Sequence, residues 1–229
     1  MEEITMQKHA TRIVVFAIAF FQVAGKPCLS QEKTKDFLKV KKTKLNSQST
    51  PRETYEGHKN SSLNLDFVTA FKYMTEDSQK VKLGTEVYAA YNSLQFSQVD
   101  RKEKEKRFDA LLKKHGIDIE KAKKPIEDGI FPAKKVMALV SHVKNKGECF
   151  YSLIELNAVS LPKEFQGDDA NDHLTQFKNP RIGKVKIEGN KATVIIKYDS
   201  NFEETRIYTK IKKRWYIDLM ATIKARTAD

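Results

Sequence analysis

Lys184-Val185-Lys186-Ile187-Glu188-Gly189-Asn190-Lys191-Ala192-Thr193-Val194-Ile195-Ile196-Lys197-Tyr198 is the stretch that decides the fold. Before Gly189 the side chains alternate between charged and apolar. After Asn190, Ala192, Val194, Ile196 and Tyr198 point one way, and Thr193, Ile195 and Lys197 the other. That period of two marks half-buried strands, and Gly189-Asn190 offers the positive-φ residues a tight hairpin turn requires. Arg206 to Ile211 and Arg214 to Leu219 repeat the pattern, with Trp215, Ile217 and Leu219 on one face and Tyr216 and Asp218 on the other. The run from Ile182 to Leu219 is therefore expected to be an antiparallel meander of four strands, in a sheet spanning residues 182–220.

Upstream, the N-terminus reads as an address. Lys8 and Arg12 precede Ile13 to Phe21, which has no polar residue, and Val23-Ala24-Gly25 presents small residues where a signal peptidase reads. Residues 1–25 are expected to be a signal peptide. The apolar run is far shorter than the roughly 20 residues of a spanning helix, so no transmembrane segment is expected after processing. Cys28 does not directly follow the small residue, as a lipoprotein would require. The protein is expected to be secreted or periplasmic.

Forty-two basic against thirty acidic residues in a chain of 229 leave a net charge of +12. Removing residues 1–25 takes away two of each sign, so the basicity belongs to the exported body. It favours anionic surroundings, although many such lysines simply form a solvated face. Two cysteines, Cys28 and Cys149, could pair in an oxidising compartment, but they make no disulfide framework and no metal-ligand spacing. Residues 26–49, with seven lysines against Glu32 and Asp36, read as a basic flexible linker.

The folded unit is expected over residues 50–229, with a helical part at 50–160. Thr50-Pro51-Arg52-Glu53 carries a cap, a first-turn proline and a capping-box glutamate. His58, Asn60, Ser61 and Ser62 are read as interrupting that helix, and a second helical pattern runs through Phe67 to Met74. Two helices are expected between Val81 and His115, stopped by His115-Gly116-Ile117. Ala133 to Lys144 is expected to be helical. Glu148 to Val159 suits a helix by Phe150, Leu153 and Ile154, and a strand by Tyr151, Leu153 and Val159; the helix is preferred because Gly147 breaks before it. Residues 163–181 read as a polar loop.

Two sets of residues carry a resemblance. Asp66-Phe67-Val68-Thr69-Ala70-Phe71-Lys72-Tyr73-Met74-Thr75-Glu76-Asp77-Ser78 resembles the early helical segment of NTF2-like proteins, the SnoaL and ketosteroid-isomerase-like superfamily, with its Thr/Ser-acid corner. Gly189-Asn190-Lys191-Ala192-Thr193-Val194 and Lys213-Arg214-Trp215-Tyr216-Ile217-Asp218 resemble that family's closing hairpin and final strand, with Lys213 where a glycine is usual. The resemblance covers about a third of the chain. It implies an exported bacterial member of α+β class: N-terminal helices packed on a curved C-terminal antiparallel sheet, the NTF2-like or cystatin-like cone, here with a helical insertion. The family implies no single activity, and its scaffold often encloses a pocket.

No Gly-rich phosphate loop, Ser-His-Asp order or metal cluster is present, so no catalytic set, cofactor or metal is expected. A pocket enzyme of the isomerase or dehydratase kind needs an acid or histidine facing a dry cavity. His58 and His173 read as loop residues, His115 as a helix end, and Glu188, Asp199 and Asp218 as strand acids. His142, beside Leu139 and Val143, and Asp218 are the candidate pocket polar residues. Packing is the commoner role for such a histidine, and a cross-strand salt bridge for such an aspartate. Lys210, Lys212, Lys213 and Arg214, with Tyr208 and Tyr216, form the candidate anionic contact. Export argues against nucleic acid as its partner. The expected function is a non-catalytic binding or interaction module for an unknown small ligand or an anionic envelope component. The alternatives are the pocket enzyme and a basic surface protein binding envelope polymers; a homodimer is left open.

Overall fold

The computed structural model describes residues 40–95, 101–123, 133–158, 180–199 and 202–227. Residues 1–25, expected to be a signal peptide, residues 26–39 of the expected linker, Cys28, His173 and most of the expected 163–181 loop lie outside them. The chain is α+β, with helices first and a four-stranded antiparallel sheet towards the C-terminus.

Helix α1 (Pro51–Leu63) opens on the expected capping box: Glu53 N–H donates to Thr50 Oγ1 and Thr50 N–H to the Glu53 carboxylate, both at 3.1 Å. It does not stop at His58. The helix runs through His58, Asn60, Ser61 and Ser62 because His58 and Ser61 are buried by distant parts of the chain, which outweighs their weak local preference. Helix α2 (Phe67–Phe71) is capped by Asp66. Thr75 then opens helix α3 (Glu76–Gln95), its hydroxyl accepting from Ser78 N–H and its carbonyl from Gln79 N–H. Helix α4 (Arg101–Lys114) ends as its sequence predicts. Gly116 has a φ of +69°, and Ile117 N–H and Gly116 N–H return to the carbonyls of Leu112 and Lys113.

Helix α5 (Ile119–Ala122) follows, and α6 (Ala133–Leu139) stops five residues before the expected Lys144. The reason is a pair of tight turns that bury Val140 and Val143. Helix α7 (Lys146–Ala158) bears out the helical preference. Gly147 lies inside its first turn rather than breaking before it. A Cβ there would sit 2.5 Å from the Phe67 carbonyl oxygen, so the glycine serves close packing of α7 on α2.

The meander is present in the order β1 (Arg181–Glu188), β2 (Lys191–Lys197), β3 (Glu203–Ile211), β4 (Arg214–Ile217). Ala192, Val194 and Ile196 stand opposite Tyr208, Arg206 and Glu204, so the buried face of β3 alternates its single aromatic with two charges. Leu219 is not the end of the last strand. Asp218 caps a helix, α8 (Leu219–Thr227), by accepting from Ala221 N–H at 2.9 Å. Helix α8 lies beside the half of β3 that short β4 leaves uncovered: Thr222 Oγ1 accepts from Ile207 N–H, and Arg226 donates to the Thr205 carbonyl. The sheet edge is thereby closed.

Two apolar cores result. One lies among the helices and includes Phe67, Phe71, Leu83, Val87, Phe108, Leu112, Phe150 and Leu153. The other joins Tyr55 and Met74 to Ala192, Val194, Ile196, Tyr208, Trp215 and Ile217 on the sheet. Cys149 is buried in the helical core, its thiol pushed up to about 12 by burial and the nearby Glu148. Helix α1 touches both edge strands, β1 and β4.

Candidate functional site

Residues 40–49, expected to be flexible linker, lie strapped along the domain. Thr43 N–H donates to Asp66 at 2.7 Å and Asn46 N–H to the Tyr73 hydroxyl at 2.7 Å. Gln48 then receives Trp215 N–H on its carbonyl, while its side-chain amide donates to the Trp215 and Lys72 carbonyls. The strap is thus pinned to β4 by one backbone bond and to the helices by side chains, and the folded unit begins about ten residues before Thr50. Backbone bonds of this kind leave no trace in composition, which is why a lysine-rich segment reads as loose. Gly57 makes the arrangement reachable, because a Cβ there would fall 2.4 Å from the Tyr73 ring that holds Asn46.

A groove of about 440 Å³ opens between the strap and the β3–β4 turn, lined by Leu45 to Ser49 and by Lys212, Lys213 and Arg214. Lys212 and Lys213 both have positive φ, 47° and 69°, as a two-residue type I′ hairpin demands. Asn-Gly is the easy occupant of such a turn; an L side chain in the left-handed region costs about 1–2 kcal/mol. Lys210 lies with its ammonium 5.6 Å from the Trp215 ring centroid.

Among the described residues no ion pair involves Lys41, Lys42, Lys44, Lys210, Lys212, Lys213 or Arg214. On β1 and β2 three cations are matched, Arg181 with Asp199, Lys186 with Glu188 and Lys197 with Glu203, while Lys184 and Lys191 form no ion pair among the described residues. The acids nearest the strap are Glu53, occupied by Ser47 and Ser49, and Asp66, occupied by Thr43 and Thr69.

A second constellation lies between the two cores. Glu204, buried on β3, accepts from Arg206 at 2.7 Å, from the Tyr198 hydroxyl at 2.8 Å and from Arg226 at 3.1 Å. Burial pushes this carboxyl up, but the charge and hydrogen bonds of Arg206, then Tyr198 and Arg226, hold it below the usual carboxylate range. His58 faces this pair from α1, pulled down to about 3 by burial and by the charges of Arg206 and Lys82. Lys82, on α3, falls to about 8 through burial and Arg206, against the pull of Glu86 and Glu204. Its ammonium lies 4.8 Å from the Phe150 ring centroid. The Tyr208 hydroxyl is buried there without a hydrogen-bond partner among the described residues.

Neither candidate pocket residue belongs to this seam. His142 follows a turn after α6, is exposed, and bonds the Gly116 carbonyl, so the apolar helical face assigned to it does not exist. Asp218 caps α8 and accepts from Thr209 Oγ1 at 2.8 Å. The residues that do converge, His58, Lys82, Glu204 and Arg206, were missed. Their one signal was parity: Glu204 and Arg206 share the strand face of Tyr208.

Fold and site together define an α+β domain with a buried ionic seam and an unneutralised basic hairpin tip. No family model, curated protein or solved structure matches the chain.

Proposed function

We propose that the protein is an exported, non-catalytic binding module of the NTF2-like kind that engages an anionic partner through its β3–β4 tip and the strap beside it. The observation that carries this is the placement of charge. Three cations without acidic partners, Lys212, Lys213 and Arg214, line one groove, and two of them occupy turn positions where lysine is strained. Strain retained at a turn is a reason to look for function there. Contact of α1 with both edge strands supports a sheet wrapped over a helix, as in the cone; α8, beyond the final strand, departs from the resemblance.

A second reading, the pocket enzyme, draws on the seam, where a lysine brought to about 8 lies near a buried histidine. Against it, a histidine at about 3 is a weak base at neutral pH, and Glu204 is already held by three donors.

The test is salt-dependent retention on an acidic matrix. Screening shortens from about 10 Å at 0.1 M salt to about 3 Å at 1 M. A variant with Lys210, Lys212, Lys213 and Arg214 changed to glutamine is expected to elute clearly earlier than the parent. A control neutralising Arg181, Lys186 and Lys197 should elute closer to the parent, since those charges are already matched by acids. Elution of the tip variant with the parent contradicts the proposal.

A further inference from the structure

We infer that the partner at this tip is an anionic lipid surface, an inference that rests on the anionic contact proposed above. Charge alone would suit a polysaccharide equally well; the apolar side chains decide. Six large hydrophobic side chains are exposed among the described residues, and three of them, Val40 at 41%, Leu45 at 38% and Ile211 at 44%, stand on the strap and the tip. Leu45 lines the groove with Lys212, Lys213 and Arg214, and Ile211 is the cross-strand partner of Arg214. Exposed apolar side chains set among unneutralised cations match the boundary between headgroups and acyl chains, where lysines meet phosphates and short apolar side chains leave water. A sulfated or carboxylated sugar would leave Leu45 and Ile211 in water and gain nothing from them.

The geometry also suits a plane. The two-residue turn projects Lys212 and Lys213 at the end of the hairpin, and the strap brings Leu45 alongside. No described helix is long and apolar enough to cross a membrane. Each cation near an anionic surface strengthens binding by about fivefold. Three at the turn supply on the order of a hundredfold, and partial burial of Leu45 and Ile211 roughly a further tenfold.

The test is flotation of the protein, purified from its own cells, with vesicles of phosphatidylcholine alone or with about one third phosphatidylglycerol, in about 0.1 M salt. The parent is expected to float with the anionic vesicles only. Lys212→Gln with Lys213→Gln and Arg214→Gln should lose affinity on the order of a hundredfold. Leu45→Ser with Ile211→Ser should lose roughly tenfold on vesicles, yet elute from the acidic matrix with the parent. Leu45→Ser alone, in the strap and outside the sheet, should show part of that loss with unchanged circular dichroism.

A parent retained on the acidic matrix but left behind by anionic vesicles overturns the lipid inference and leaves the anionic contact standing, with a polyanion as its partner. Flotation of the Leu45 and Ile211 variants equal to the parent's also overturns it. A tip variant that elutes from the matrix with the parent removes the underlying contact itself.

Discussion

Replacing Glu204 by glutamine is expected to destabilise the protein by about 3–5 kcal/mol, because it leaves the Arg206 guanidinium buried without its carboxylate. Glu204 and Arg206 are 7% and 4% exposed, so water cannot substitute for the lost partner. Changing both residues to leucine removes the buried charges together and should cost less than either single change, since a matched apolar pair needs no desolvation of ions. Urea unfolding of the parent, Glu204→Gln, Arg206→Leu and the double variant measures this. The pH dependence has a definite sign. With its folded value lowered, Glu204 contributes stability that is fully present above its ordinary value near 4.5 and is lost as pH falls through the folded value. The double variant should lack that acid-dependent loss. A Glu204→Gln change that costs less than about 1 kcal/mol, or a double variant that costs the sum of the singles, contradicts the seam as described.

Trp215→Ala is expected to cost about 3–5 kcal/mol. The ring is 3% exposed in the sheet core, beside Met74, Tyr208 and Ile217. Its strand segment is also where three elements meet: Gln48 of the strap takes its N–H, and Gln48 and Thr54 both donate to its carbonyl. Trp215→Phe, which keeps much of the apolar area and all the backbone bonds, should recover most of the loss. The alanine variant should also loosen the strap, read as faster amide exchange at Asn46 than in the parent. An unchanged denaturation midpoint for Trp215→Ala would mean that the ring does not anchor the sheet.

What the sequence disclosed follows from how local each cause is. The Thr50 capping box and the Gly116 stop each need only residues a few places apart, and the meander needs only a period of two, so all three were legible. His58 was not, because the charges that act on it, Arg206 and Lys82, come from other elements, and a histidine before Asn60-Ser61-Ser62 looks like a helix breaker. Helix α8 was hidden by Leu219, which continues the alternation of Trp215 and Ile217; Asp218 before Leu-Met-Ala was the overlooked cap signal. Lys210 to Arg214 were legible as a basic turn, whereas the groove required the strap.

Anions are expected at the tip and not in the seam, and amide chemical shifts during titration with a short sulfated oligosaccharide report where they go. Graded shifts at Leu45 to Ser49 and Ile211 to Arg214, weakening as salt rises, with His58, Lys82 and Glu204 unmoved, are the predicted result. Shifts centred on His58, Lys82, Glu204 and Arg206, or none at the tip, would contradict it.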